Sequence, residues 1–113
     1  MPNLKLRFAC SLYDRMLPLY TGEVKPDGID LDFIVSDDPR VTFDRMVRDL
    51  AYDLSEMSSS EYIQRTSRNE SAFVALPVFP SRLFRHGFIL INRRSGIRTP
   101  KDLRGKKINI LNF

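Results

Sequence analysis

The sequence predicts an α/β fold, with a mostly parallel sheet and crossover helices. Three observations carry this. Apolar residues alternate with polar ones over residues 4–9 and again over Ile29–Val35. Between and after such stretches come segments with helical apolar spacing, the order expected of crossover connections. Residues 73–79 then form a nearly continuous apolar run, which suits a strand buried on both faces.

Taken in order, Leu4, Leu6 and Phe8 alternate with Lys5 and Arg7, so the first strand buries one face. Ser11 is placed to cap a short helix, with Asp14 as an acidic partner near its start. Pro18 limits how far that helix runs. Gly22 and Lys25-Pro26-Asp27-Gly28 are turn signals, and the second strand follows. Ser36-Asp37-Asp38-Pro39 marks a helix start, an Asp cap followed by proline at the first helical position. Phe43, Met46, Val47 and Leu50 make one apolar stripe, read as core, and Asp44 can pair with Arg48 across a turn. A short strand over 53–56 leads to a helix over 59–68, broken by Asn69-Glu70-Ser71. Residues 73–79 and 88–92 are further strands. Pro77 argues for an edge or an end in the first of them. Pro100–Leu103 is one helical turn, ended by Gly105, and a last strand starts at Lys106. Leu111, Asn112 and Phe113 close the chain at that strand's end. A parallel strand normally has a helix after it, so the chain reads as an N-terminal fragment of a longer protein.

Composition narrows the function classes. The chain has 113 residues, 42% hydrophobic and 28% charged, an ordinary balance for one small domain. No apolar run approaches the ~20 residues of a membrane helix, and no signal region is visible. The expected setting is the cytoplasm, without a membrane partner. One cysteine and one histidine make a Cys/His zinc site not credible, and no metal site is expected. Cys10 reads as a small buried hydrophobe. Glycine-rich phosphate loops, G-x-S-x-G and H-E-x-x-H are all lacking, so no cofactor is named. The net charge of +4 is unevenly spread. Residues 93–107 hold seven of the 18 Lys and Arg and one acid, which makes that stretch +6 and the rest −2. A nucleic-acid face would interleave aromatics with the basic residues; this stretch reads as a solvated link.

The chemistry-bearing residues fall in three groups, each following a predicted strand. Tyr13-Asp14-Arg15 follows the first. Ser55-Glu56-Met57-Ser58 follows the third. Arg82, Arg85 and His86 follow the fourth. In a parallel sheet all three lie at the carboxyl edge, where open α/β folds bind ligands. Ser58 and Glu61 have capping-box spacing at a helix start, a ready anion site. Arginine grips carboxylates through two parallel hydrogen bonds, and histidine can deliver a proton near neutral pH. The group suggests a cleft for a small carboxylate-bearing anion. A plainer reading stands beside it: Ser58 only caps, Glu56 is a solvated turn residue, the arginines are surface charges and His86 is structural.

Phe8-Ala9-Cys10 with Tyr13-Asp14-Arg15 resembles the opening of the 4,5-dihydroxyphthalate decarboxylases. So do Val24-Lys25-Pro26-Asp27-Gly28-Ile29-Asp30-Leu31, Asp53-Leu54-Ser55-Glu56-Met57-Ser58 and Ser60-Glu61-Tyr62. The similarity is strongest at Pro77-Val78-Phe79-Pro80-Ser81-Arg82 with Phe84-Arg85-His86. It continues through Gly96-Ile97-Arg98 and 100–106, and so covers nearly the whole chain. It implies a type 2 periplasmic-binding-protein-like fold, with residues 1–113 as the N-terminal part of lobe 1 and the second lobe absent from this chain. The function it implies is non-oxidative decarboxylation of an aromatic dicarboxylate in an interlobe cleft, a step in phthalate degradation. On that reading His86 and Glu56 are catalytic: His86 delivers a proton or contacts a phenol, and Glu56 contacts ring hydroxyls. Asp14, Arg15, Ser58, Arg82 and Arg85 bind substrate. The alternatives are a solute-binding, transporter-receptor-like module for a small anion, or an inactive fragment. An exposed sheet edge would favour a homo-oligomer.

Overall fold

Strand β1 (Leu4–Cys10) lies between β2 (Ile29–Val35) and β3 (Leu54–Ser55), and both neighbours run parallel to it. The computed structural model describes residues 1–110. Residues 111–113, where the last predicted strand ends, lie outside the described residues. The chain divides into two units, Met1–Arg82 and Leu83–Phe113.

In the first unit the expected α/β alternation is present. Helix α1 (Leu17–Thr21), entered through a 3₁₀ turn at Asp14–Met16, connects β1 to β2, and α2 (Pro39–Asp49) connects β2 to β3. Helix α3 (Ser59–Ser67) follows β3. The register pairs Leu4 with Ile29 and runs unbroken to Cys10 with Val35. The two period-two patterns therefore face the same way. Phe8 packs edge-to-face on Phe33, which in turn packs on Tyr20 of α1. On the other face Ala9, Met46 and Tyr52 form the buried centre, joined by Ile34, Ala51, Met57 and Phe73.

Several local expectations meet the structure with changes. Asp38 caps α2 as its sequence suggests, accepting from the Arg40 amide at 2.9 Å. Ser11 does not cap; Tyr13 stands at that position, and Pro18 sits inside the first turn of α1, where its missing N–H costs nothing. Gly22 ends α1 at φ +75°, a left-handed conformation that a side chain would disfavour. Leu50 ends α2 at φ +48° without that freedom and is exposed. Asp44 pairs with Arg40 and not with Arg48, whose Nε donates to the Asp44 carbonyl.

Three predicted strands are not formed among the described residues. Residues 73–79 carry no ladder, and Val74, Leu76, Val78 and Phe79 are exposed. Pro77 removes one donor from that stretch and Pro80 another just after it, and a strand exists only when a neighbour accepts its backbone bonds. In the second unit, residues 88–92 are preceded and entered by a 3₁₀ turn, Arg85–Phe88, and 106–110 carry no ladder among the described residues. That unit holds two more 3₁₀ turns, Arg93–Ser95 and Pro100–Leu103. The predicted turn at 100–103 is thus present. Asp102 fixes it by accepting from the Thr99 amide at 2.8 Å and the Arg98 amide at 2.9 Å, bonds that hold its carboxyl below the ordinary range.

Candidate functional site

Where β1 ends, the chain turns through Ser11 and Leu12 into the 3₁₀ entry of α1, with the Tyr13 amide bonded to the Ser11 carbonyl at 2.9 Å. Where β3 ends, the Glu56 amide donates to the Ala9 carbonyl at 2.9 Å. This bond carries the parallel pairing one residue past the strand. It sets the Glu56 side chain against the carboxyl end of β1, and the sheet register alone brings the two segments together across 40-odd residues of sequence.

Both carboxylate oxygens of Glu56 are used. Oε1 accepts from the Tyr13 phenol at 2.6 Å, a short distance typical of a hydroxyl on a charged acceptor. Oε2 accepts from the Ser11 amide at 3.1 Å and, more weakly, from the Cys10 thiol at 3.7 Å. Burial, and then the Glu56 charge, push the Cys10 thiol up to about 12. Burial and the bond to Glu56 also raise the Tyr13 phenol, while the Ser81 hydroxyl beside it works the other way. At neutral pH the thiol and the phenol are therefore donors, not nucleophiles. The Ser11 hydroxyl also lies beside Tyr13 and works with Ser81 against the rise; its buried oxygen makes no hydrogen bond of good geometry among the described residues.

The remaining candidates divide. Arg15 donates to the Pro80 carbonyl, and its guanidinium lies 5.8 Å from the centre of the Tyr13 ring. The loop at 80–81 is thereby held beside Tyr13. Asp14 is turned outward, its side chain 89% exposed, and among the described residues its carboxylate bonds only to Arg15, through the amide at 2.8 Å and the guanidinium at 3.4 Å. Arg82 is exposed and folds its Nε back onto the Phe79 carbonyl at 3.0 Å.

Ser58 occupies the cap position of α3 but does not cap. Its hydroxyl pairs with Ser60 at 2.9 Å, and Glu61 turns to Arg65 and Arg40 instead. The expected reciprocal capping box is therefore absent, because Glu61 is drawn to two cations. Arg85 and His86 belong to the second unit. There Arg85 lies over the Phe88 ring at 5.6 Å, and the exposed His86 stacks tilted on Phe84 with centroids 4.6 Å apart.

Sequence reasoning underrated Tyr13 and missed Ser11, Ser81 and the role of Cys10 as a donor. The signal for Ser11 and Cys10 was position at the end of the first strand, and Ser81 carried none. An open groove of about 510 Å³ lies elsewhere, against β2 and α1, lined by Lys5, Tyr20, Ile29, Leu31 and Phe33 among others. Among the described residues no three His, Cys, Asp or Glu side chains gather closely enough to hold a metal ion. No helix among them is long and apolar enough to cross a membrane.

A 4,5-dihydroxyphthalate decarboxylase from Comamonas testosteroni is 43% identical over 110 residues, which is 97% of this chain and 33% of that protein. A second, from Pseudomonas putida, is 43% identical over 110 residues, 97% of this chain and 42% of its own length. The chain is thus similar, over nearly its whole length, to part of each of these two 4,5-dihydroxyphthalate decarboxylases. No protein-family model matches it. The similarity spans every candidate group described above, while the chain spans between a third and just over two fifths of the length of these relatives.

Proposed function

We propose that this chain contributes to non-oxidative decarboxylation of an aromatic dicarboxylate of the 4,5-dihydroxyphthalate type. It would do so as part of lobe 1 of a two-lobed, type 2 periplasmic-binding-protein-like α/β protein. The observation that carries this reading is 43% identity, over 97% of the chain, to two proteins bearing that name. The gathering of Tyr13, Ser11 and Cys10 on Glu56 at the carboxyl edge of a parallel sheet supports it, since ligands of open α/β folds bind at that edge.

The chemistry breaks one ring-carbon-to-carboxylate bond, releases CO₂ and adds one proton to the ring carbon. It requires a grip on the remaining carboxylate and a proton donor. In this reading Arg82 and Arg85 grip carboxylate, with Arg15 beside them in role, and His86 is the proton donor. Glu56 serves the ring hydroxyls. Asp14 and Ser58 contribute polar lining.

The test is to incubate the protein with 4,5-dihydroxyphthalate and measure CO₂ together with 3,4-dihydroxybenzoate. Release of both in equal amounts supports the reading. Its loss by about 10²-fold in His86→Ala, the scale of general acid catalysis, assigns the proton. Saturable binding without either product would favour the solute-binding alternative.

A further inference from the structure

The segment that carries Arg82 is the least supported part of the candidate site. Residues 73–79 have no ladder, and Val78 and Phe79 are exposed. Past them, Arg82 Nε closes a bend by donating to the Phe79 carbonyl at 3.0 Å. Among the described residues, the hydrogen bond that ties this bend to the end of β1 runs from Arg15 Nη1 to the Pro80 carbonyl. Arg15 is itself bedded. Its side chain is 36% exposed, its guanidinium lies 5.8 Å from the centre of the Tyr13 ring, and Asp14 lies 3.4 Å from its Nη2. Tyr13 in turn donates to Glu56 at 2.6 Å. A line of contacts thus runs from the end of β3 through Glu56, Tyr13 and Arg15 to the bend. A carboxylate gripped by an arginine on a loose segment must order that segment as it binds. That costs affinity on the order of tenfold for each residue ordered. A segment fixed in advance escapes the loss.

We infer that Arg15 is a positioning residue: it clasps the Phe79–Arg82 bend to the carboxyl end of β1, so that Arg82, and not Arg15, grips the ligand's carboxylate. The ligand class is an aromatic ring bearing a carboxylate, which the exposed Arg82 fork can meet with two parallel hydrogen bonds. This rests on the decarboxylase reading above and moves Arg15 from carboxylate binding to the support of Arg82. The two roles differ in timing. A clasp acts before any ligand arrives; a grip acts only afterwards.

The experiment is nuclear magnetic resonance and calorimetry on the whole chain, with phthalate as the probe. Without ligand, Arg15→Ala should lower the backbone order of Phe79, Ser81 and Arg82 and leave that of β1 unchanged. With ligand, it should weaken phthalate binding about tenfold. In an Arg82→Ala background the same substitution should change phthalate affinity by less than about twofold, because the clasp has no grip left to present. In the unmodified chain the Arg82 Nε–H resonance should move on adding phthalate, and that of Arg15 should stay.

Unchanged order at 79–82 in Arg15→Ala overturns the assignment and leaves the decarboxylase reading standing. So does a full tenfold loss that persists in the Arg82→Ala background, or an Arg15 resonance that moves as far as that of Arg82. If the unmodified chain does not bind phthalate, the decarboxylase reading falls for this chain and the assignment falls with it. Should Arg15→Ala fail to fold, the two Nε–H resonances of the unmodified chain decide.

Discussion

Two seven-residue stretches of the first unit, β1 and residues 73–79, are both rich in apolar side chains and end in opposite environments. β1 has a parallel neighbour on each side, and its last two residues, Ala9 and Cys10, are fully covered. Residues 73–79 have no strand beside them, and Val74 is 89% exposed. Apolar content is therefore not what separates them. β1 alternates, so each face meets a different layer, and its backbone pairs along its whole length with β2 and at Phe8 and Ala9 with β3. The other stretch is apolar on both faces and interrupted by Pro77. It would need two covering layers and a partner strand at once. The site inherits this difference: it is built at the paired end of β1 and is held to the unpaired stretch through Arg15 and Pro80.

That contrast can be broken experimentally, and the largest effect should come from the layer behind β1. Met46→Ala removes a side chain packed on Ala9 and Tyr52 and should cost about 2–5 kcal/mol in urea unfolding. A loss no larger than that of an exposed residue would mean the buried centre is not closed. Next, Glu56→Ala leaves the Ser11 amide and the Tyr13 phenol without their acceptor, and should cost about 1–3 kcal/mol.

The thiol gives a pH test. Its folded value lies near 12 against an ordinary 9.0. The folded chain thus holds the proton that the unfolded chain releases, and the stabilisation is complete below pH 9 and lost as pH rises toward 12. Cys10→Ala should flatten that alkaline decline, measured as unfolding midpoint against pH. An equally steep decline in the variant would assign it to other groups, Tyr13 first.

A smaller change is expected from Asp38→Ala, which removes the cap of α2 and should cost about 1 kcal/mol. Least of all, Leu76→Ser in the open stretch should stay within about 0.5 kcal/mol. A loss above 1 kcal/mol there would show that the stretch is covered in solution, by another copy or a partner.

Local signals were legible where the local chain alone determines the outcome. Asp38-Pro39 starts a helix because its oxygen and ring act on the next few residues only. Asn69 ends α3 at φ +56°, a conformation asparagine tolerates. The Ser58 capping box failed although its spacing was right, since Arg40 and Arg65 compete for Glu61 and neither is visible in a four-residue pattern. The candidate site was half legible. Glu56, Asp14 and Arg15 were singled out, but the donors that engage Glu56 lie on a different strand end, and only pairing register decides which residues meet.

By itself the sequence determined the α/β class, the two alternating strands, the capped second helix and the resemblance to the dihydroxyphthalate decarboxylases. Those follow from periodicity, capping chemistry and residue identity, all carried within a few positions of chain. Tertiary structure alone decided which apolar runs became strands and which donors share the Glu56 carboxylate. A strand needs a neighbour, and a half-buried carboxylate needs partners, and both are supplied by residues far away in sequence.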